Sequence, residues 1–180
     1  MVVNIRVGIT GLPQVGKTQA LLKVISLLED AGVTVGGMVT EAIIENGERV
    51  GFQVEDWATK EKAVMAHVDL HSKVMVGSYG VDLDAIERVG IPAIERAIES
   101  SDVIVIDEVG KMEVESPQFS VVVKKALESD KPILLTLHKK SRNPLIQDIR
   151  RRDDVRILEV TNLNKDFLPF KILRLLEGER

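Results

Sequence analysis

Eight consecutive residues, Gly11-Leu12-Pro13-Gln14-Val15-Gly16-Lys17-Thr18, match the pattern G-x-x-x-x-G-K-[ST], whose chemistry is the cradling of a phosphate chain. Gly11 and Gly16 let the backbone bend so that successive N–H groups face one anion. The helix that follows adds the partial positive charge of its N-terminus. Lys17 is then placed to reach the outer phosphates, and the Thr18 hydroxyl to ligate Mg²⁺. A second set of chemically able residues closes the apolar run Val103-Ile104-Val105-Ile106, which ends in Asp107 and Glu108. An aspartate at the carboxyl end of such a strand emerges where open α/β sheets bind their ligands. It suits Mg²⁺, a cation that keeps several of its waters. A carboxylate beside it, Glu108, can orient or deprotonate a water for attack on a γ-phosphate. A nucleotide kinase has less use for that group, because its nucleophile is a second substrate.

Further residues are weaker candidates. Thr136 and His138 close the next apolar strand, so one of them is expected to face the γ-phosphate or the attacking water. Arg142, Arg150, Arg151 and Arg152 are cations of the kind that neutralise transition-state charge, although Asp148, Asp153 and Asp154 lie close by in the chain and such runs are usually solvated faces. His67 and His71 stand four apart without a third ligand near them, which makes a metal site an accident of spacing. Trp57 and Tyr79 can stack on a base, and each is as readily a packing residue.

The elements that must position these groups can be read from periodicity. Val2 to Thr10 is a β-branched segment of strand length. Leu21, Val24, Ile25 and Leu28 recur at helical spacing up to a cap at Gly32. Strand, glycine loop and helix is the arrangement that the phosphate motif needs. Val33–Thr40 predicts a second strand, with a bend or close backbone approach at Gly36-Gly37. Ala42–Val54 predicts a hairpin with a type I′ turn at Asn46-Gly47. Lys62–Val68 predicts a strand and Val76–Val81 a loop with a short strand, and Asp82–Ser100 a helix broken or kinked at Gly90-Ile91-Pro92. Beyond the strand that ends in Asp107, Gly110–Ser116 reads as loop and Pro117 opens a helix with an apolar stripe. Pro132–His138 is a strand, Asn143-Pro144 caps a short helix, Val155–Val160 is the last strand, and Lys165–Leu176 the last helix. Helices alternating with apolar strands predict an α/β fold, a doubly wound and mostly parallel sheet extended by an antiparallel hairpin.

Composition excludes several classes. The chain has 180 residues, which predicts one domain spanning 1–180. With a net charge of -4 and 3% aromatics, neither nucleic acid nor an anionic membrane is an expected partner. No cysteine is present, which removes disulfides, thiolate metal sites and cysteine nucleophiles. The amino-terminal stretch lacks a signal-peptide pattern and no apolar run approaches a membrane span, so the cytoplasm is the expected compartment.

The whole chain resembles a known family, the small P-loop nucleoside-triphosphatases of thermophilic microbes, known in animals as the cancer-related nucleoside triphosphatase. The likeness is carried by Gly11–Thr18, by Glu45-Asn46-Gly47-Glu48-Arg49-Val50-Gly51-Phe52 and, most specifically, by Asp107-Glu108-Val109-Gly110-Lys111-Met112-Glu113. Lys131–Leu134, Arg150–Val155 and Glu159-Val160-Thr161 add to it. The resemblance implies Mg²⁺-dependent hydrolysis of ATP, GTP and other triphosphates to diphosphates, with little base selectivity. It implies nucleotide contacts from Gly11, Leu12, Pro13, Gln14, Val15, Gly16, Lys17 and Thr18, and from Asp107, Glu108, Val109 and Gly110 within Val103–Gly110. The family is similar to the additional-strand branch of P-loop ATPases, which also place a glutamate beside the metal-binding aspartate. Two stretches depart from its pattern. Gln14 stands where the family commonly has glycine, which implies a stiffer loop or a slower site. Asp56-Trp57-Ala58-Thr59-Lys60-Glu61 replaces a stretch with a Thr-Gly pair. The functional expectation is a nucleoside-triphosphatase with Lys17 and Glu108 as catalytic groups and Thr18 and Asp107 at the metal. The alternatives are a nucleotide or nucleoside kinase on the same scaffold and a slow switch for a partner that the sequence does not name.

Overall fold

The computed structural model describes residues 1–179. In chain order the elements are β1 (Arg6–Gly11), α1 (Lys17–Asp30), β2 (Val35–Glu45), β3 (Glu48–Asp56), β4 (Lys62–His67), β5 (Met75–Val76), β6 (Tyr79–Val81), α2 (Leu83–Ala85), a π turn (Ile86–Gly90) and α3 (Ile91–Ser100). There follow β7 (Val103–Val109), a 3₁₀ turn (Glu113–Glu115), α4 (Pro117–Leu127), β8 (Ile133–His138), α5 (Pro144–Arg151), β9 (Val155–Glu159) and α6 (Leu168–Leu176).

Among the described residues one nine-stranded sheet has the order β5-β6-β4-β3-β2-β7-β8-β1-β9. The pairs from β2 through β9 are parallel, and those from β2 out to β5 are antiparallel. The expected α/β sheet with an antiparallel extension is present, and the extension is longer than a hairpin because β4, β6 and β5 continue it. β2 serves both halves. Val35–Met38 pairs with β7, and Met38–Glu45 with β3. The turn between β2 and β3 has φ 52° at Asn46 and 79° at Gly47, the backbone of a type I′ turn. At Gly37 a Cβ would stand 2.0 Å from the Val105 carbonyl oxygen, which is the close backbone approach expected of the glycine pair.

The sheet is covered on both faces, and the alternation of side chains decides which residues go where. Ile104 and Ile106 of β7 join α3, α4 and α5 in one core. Val103 and Val105 point the other way, to a core shared with α1 and α6. Phe119, Val122, Val123 and Ala126 are the buried stripe of α4, each large member stabilising the fold by about 1.5–3 kcal/mol.

Several boundaries move. β1 begins at Arg6 rather than Val2, because its neighbours first offer partners there, Ile133 and Val155. The segment 82–100 is capped by Asp82, which accepts from the Ala85 N–H at 3.3 Å. It is interrupted by a π turn rather than a simple proline kink, and Pro92 falls in the first turn of α3, where its missing N–H costs little. α6 starts at Leu168 rather than Lys165, since residues 161–164 close a turn in which Thr161 N–H donates to Asn164 Oδ1 at 2.7 Å. Gly110–Ser116, expected as loop, contains the 3₁₀ turn.

Candidate functional site

The phosphate-loop sequence lies between the end of β1 and the start of α1. β8 separates β1 from β7 in the sheet, so the two motifs meet across one intervening strand. Their side chains are in contact. Lys17 Nζ lies 3.0 Å from Glu108 Oε2 and 3.4 Å from the Gly11 carbonyl oxygen. Thr18 Oγ1 donates toward the Asp107 carboxylate, 3.0 Å from Oδ2 and 3.3 Å from Oδ1. Thr136 Oγ1 donates to Asp107 Oδ1 at 2.6 Å. β7 loses its regular register to β8 between Ile106 and Val109, where Asp107 and Glu108 stand.

The electrostatics follow from burial. Asp107 is 1% exposed. Loss of water pushes its carboxyl up to about 6, against the hydrogen bonds of Thr136 and Thr18 that favour the charged form and with the repulsion of Glu108. Glu113, also buried, is raised well above the usual carboxylate range, first by desolvation and then by the negative charges of Glu108 and Asp107. A Cβ at Gly110 would meet Glu108 Oε1 at 2.5 Å and Glu113 Oε2 at 2.9 Å. The two carboxyl groups crowd the space beside this glycine. Partial burial lowers the His138 imidazole below its ordinary value; Glu108 opposes that shift while Lys111, Lys17 and Arg150 add to it.

Several of these groups border a cleft of about 910 Å³ that runs from the phosphate loop to β3 and the β5–β6 turn. Lys17, Thr18, Glu108 and His138 line it at one end, Arg49, Phe52 and Tyr79 elsewhere along it. A smaller groove of about 520 Å³ lies on the other flank of the loop, between Gln14, Gln19 and Lys23 and the segment from Lys165 to Phe170.

A family model described as NTPase matches residues 6–173. A nucleoside-triphosphatase THEP1 of Thermoplasma volcanium is 38% identical over 97% of this chain and 98% of its own. The crystal structure of THEP1 from the hyperthermophile Aquifex aeolicus superposes with a TM-score of 0.86 at 33% identity, over 96% of this chain and 99% of that one. The solution structure of a human cancer-related nucleoside triphosphatase gives 0.83 at 34% identity, over 98% and 99%. The chain belongs to the NTPase family.

Gln14 has φ 63°, and Lys60, within the stretch Asp56–Glu61, has φ 66°, conformations that a side chain disfavours and glycine adopts freely. The turn that holds Lys60 is organised by Asp56. Its buried carboxylate accepts from the Ala58 and Thr59 N–H groups at 3.0 and 3.2 Å and is paired with Arg96. The expected alternatives at the end of β8 separate cleanly: Thr136 is buried against Asp107, and His138 lines the cleft. Arg150 is engaged elsewhere, donating to the carbonyls of His138, Lys139 and Ser141. Arg152 is bound to Asp154 and Glu128. Arg142 and Arg151 are exposed and stand outside the cleft lining. Trp57 donates to Glu29 at 2.8 Å and carries Lys60 over its ring. His67 lies within 4 Å of Glu45 and Asp69, while His71 is exposed. Sequence reasoning gave Glu113, Lys111 and Arg49 no role of their own, though Glu113 and Lys111 belong to the most family-specific stretch.

Proposed function

We propose that this chain is a single P-loop domain that hydrolyses nucleoside triphosphates, ATP and GTP among them, to diphosphate and phosphate with Mg²⁺ and little selectivity for the base. The observation that carries this is the meeting of Lys17, Thr18, Asp107 and Glu108 at one end of the cleft. The N–H groups from Gly11 to Thr18 cradle the phosphates, and Lys17 leaves Glu108 to neutralise the outer ones. Glu108 sits near the end of β7, and Val109 and Gly110 after it give the nucleotide a backbone wall. Glu108, partly exposed to the cleft, takes a proton from the attacking water.

The donor set fits magnesium. Thr18 Oγ1 and the Asp107 carboxylate are hard oxygens already within hydrogen-bonding distance of each other, and Asp107 is a buried carboxyl group whose charged form needs a cation. No group of three or more metal-ligating side chains occurs among the described residues; that accords with an ion that takes one or two protein oxygens and completes its shell with phosphate and water. When bound, Mg²⁺ supplies charge neutralisation at the phosphates. Among the described residues no helix is long and apolar enough to cross a membrane. The acidic net charge supports free nucleotides rather than nucleic acid as ligands, in the cytoplasm.

A kinase on the same scaffold would compete with this assignment, favoured by the length of the cleft beyond Lys17. Steady phosphate release from ATP and from GTP with Mg²⁺ and no added acceptor is the expected result. Turnover that appears only when an acceptor is supplied would replace hydrolysis with phosphoryl transfer.

A further inference from the structure

We propose that the hairpin end of the cleft, formed by Arg49, Phe52, Met65 and Tyr79, is a binding subsite for a second small molecule, an aromatic anion of the nucleoside monophosphate class. The proposal rests on the nucleotide assignment above and extends it.

Topology decides which flank of the phosphate loop is left over. Thr18 and Lys17 meet Asp107 and Glu108 on the side of β7, and β2 and β3 lie farther out on that same side. The metal and the outer phosphates therefore face the hairpin, and the α-phosphate lies toward the opposite flank. That flank has its own groove, with Gln14, Gln19, Lys23, Asp166 and Phe170, to receive the nucleoside. The remainder of the large cleft extends beyond the γ-phosphate and belongs to no part of a triphosphate bound in this direction.

The chemistry of that remainder is specific. The Arg49 guanidinium lies 5.3 Å from the Phe52 ring centroid, and its Nε is buried without a hydrogen-bond partner among the described residues. Arg49 lines the cleft, and a guanidinium there is suited to a phosphate. Phe52 and Tyr79 form an edge-to-face pair, centroids 5.4 Å apart at 64°, and Met65 and Val76 add apolar wall. A planar ring stacks on such a surface. Glu41 and Glu55 also line the cleft; Glu41 already accepts from Gln53 at 3.1 Å. They are acceptors for sugar hydroxyls or a base amine. The two sources of anionic and aromatic recognition sit within one strand, three residues apart, on the face of β3 that the cleft exposes.

Calorimetric titration with AMP, CMP, GMP and UMP of protein saturated with Mg²⁺ and a non-hydrolysable ATP analogue tests the proposal. At least one monophosphate is expected to bind one-to-one. Arg49→Ala, Arg49→Lys and Phe52→Ala should each weaken it tenfold or more while the affinity for the ATP analogue stays within about twofold, which also reports intact folding. Absence of any monophosphate binding to analogue-loaded wild type would overturn it. So would an equal loss of analogue binding in the variants, which would place the triphosphate's own nucleoside at this end. If the analogue itself fails to bind wild type, the nucleotide assignment falls and takes the subsite with it.

Discussion

The two ends of the cleft are built by opposite means. At the phosphate end the charged groups are engaged with one another: Lys17 with Glu108, and Asp107 with Thr18 and Thr136. Asp107 and Glu113 there are buried and raised, so their charged forms are held at a cost that a bound cation would relieve. At the hairpin end the one guanidinium has a buried nitrogen with no partner, beside an aromatic pair. One end stores an electrostatic cost that metal and nucleotide relieve. The other is a shaped surface that leaves one buried donor unmet. Substitutions at the first end should therefore change binding and stability strongly, and those at the second only weakly unless a second ligand is present.

The largest effect is expected for Lys17→Ala. Loss of a buried charge partner of the phosphates should weaken Mg·ATP binding by a hundredfold or more, on the order of 3 kcal/mol, measured by titration calorimetry. Asp107→Asn should stabilise the metal-free, nucleotide-free protein at pH 7 by up to about 3 kcal/mol, the differential cost of a carboxyl group moved from its ordinary 3.8 to about 6. The sign follows from proton uptake. Folded Asp107 holds its proton more tightly than the unfolded chain does, so stability falls as pH rises from about 4 to about 6, and Glu113 contributes in the same direction. Denaturant melts in chelator across that range should show the slope in wild type and a flatter one in Asp107→Asn. At the hairpin end, Tyr79→Phe removes the hydroxyl that donates to the Arg49 carbonyl at 3.3 Å and should cost about 1 kcal/mol or less. The smallest change is expected at Gln14→Gly, where relief of the left-handed conformation, about 1 kcal/mol, is offset by the greater freedom of glycine in the unfolded chain.

What could be read without coordinates tracks how local each feature is. The phosphate loop, the apolar strand before Asp107, the Asn46-Gly47 turn and the stripe of α4 are contiguous signals, and each stands where the periodicity places it. Glu113 was opaque because its burial arises from the return of the chain after Gly110, not from its neighbours in sequence. The π turn at Ile86–Gly90 was opaque for a similar reason: Gly90 packs against Met38 of β2, whose sulfur would lie 2.6 Å from an added Cβ. Arg150 looked like one member of a solvated charge run, whereas its guanidinium holds the carbonyls after β8. The Arg49, Phe52 and Tyr79 cluster is assembled from β3 and β6, and no spacing rule joins residues brought together by strand order.

The most direct test of the central claim compares wild type with Glu108→Gln, measuring phosphate release from Mg·ATP and Mg·GTP together with nucleotide affinity. Removal of one general base should lower the hydrolysis rate about a hundredfold or more while triphosphate binding persists. A Glu108→Gln protein that binds and hydrolyses both nucleotides at the wild-type rate would contradict the assignment of water activation to Glu108.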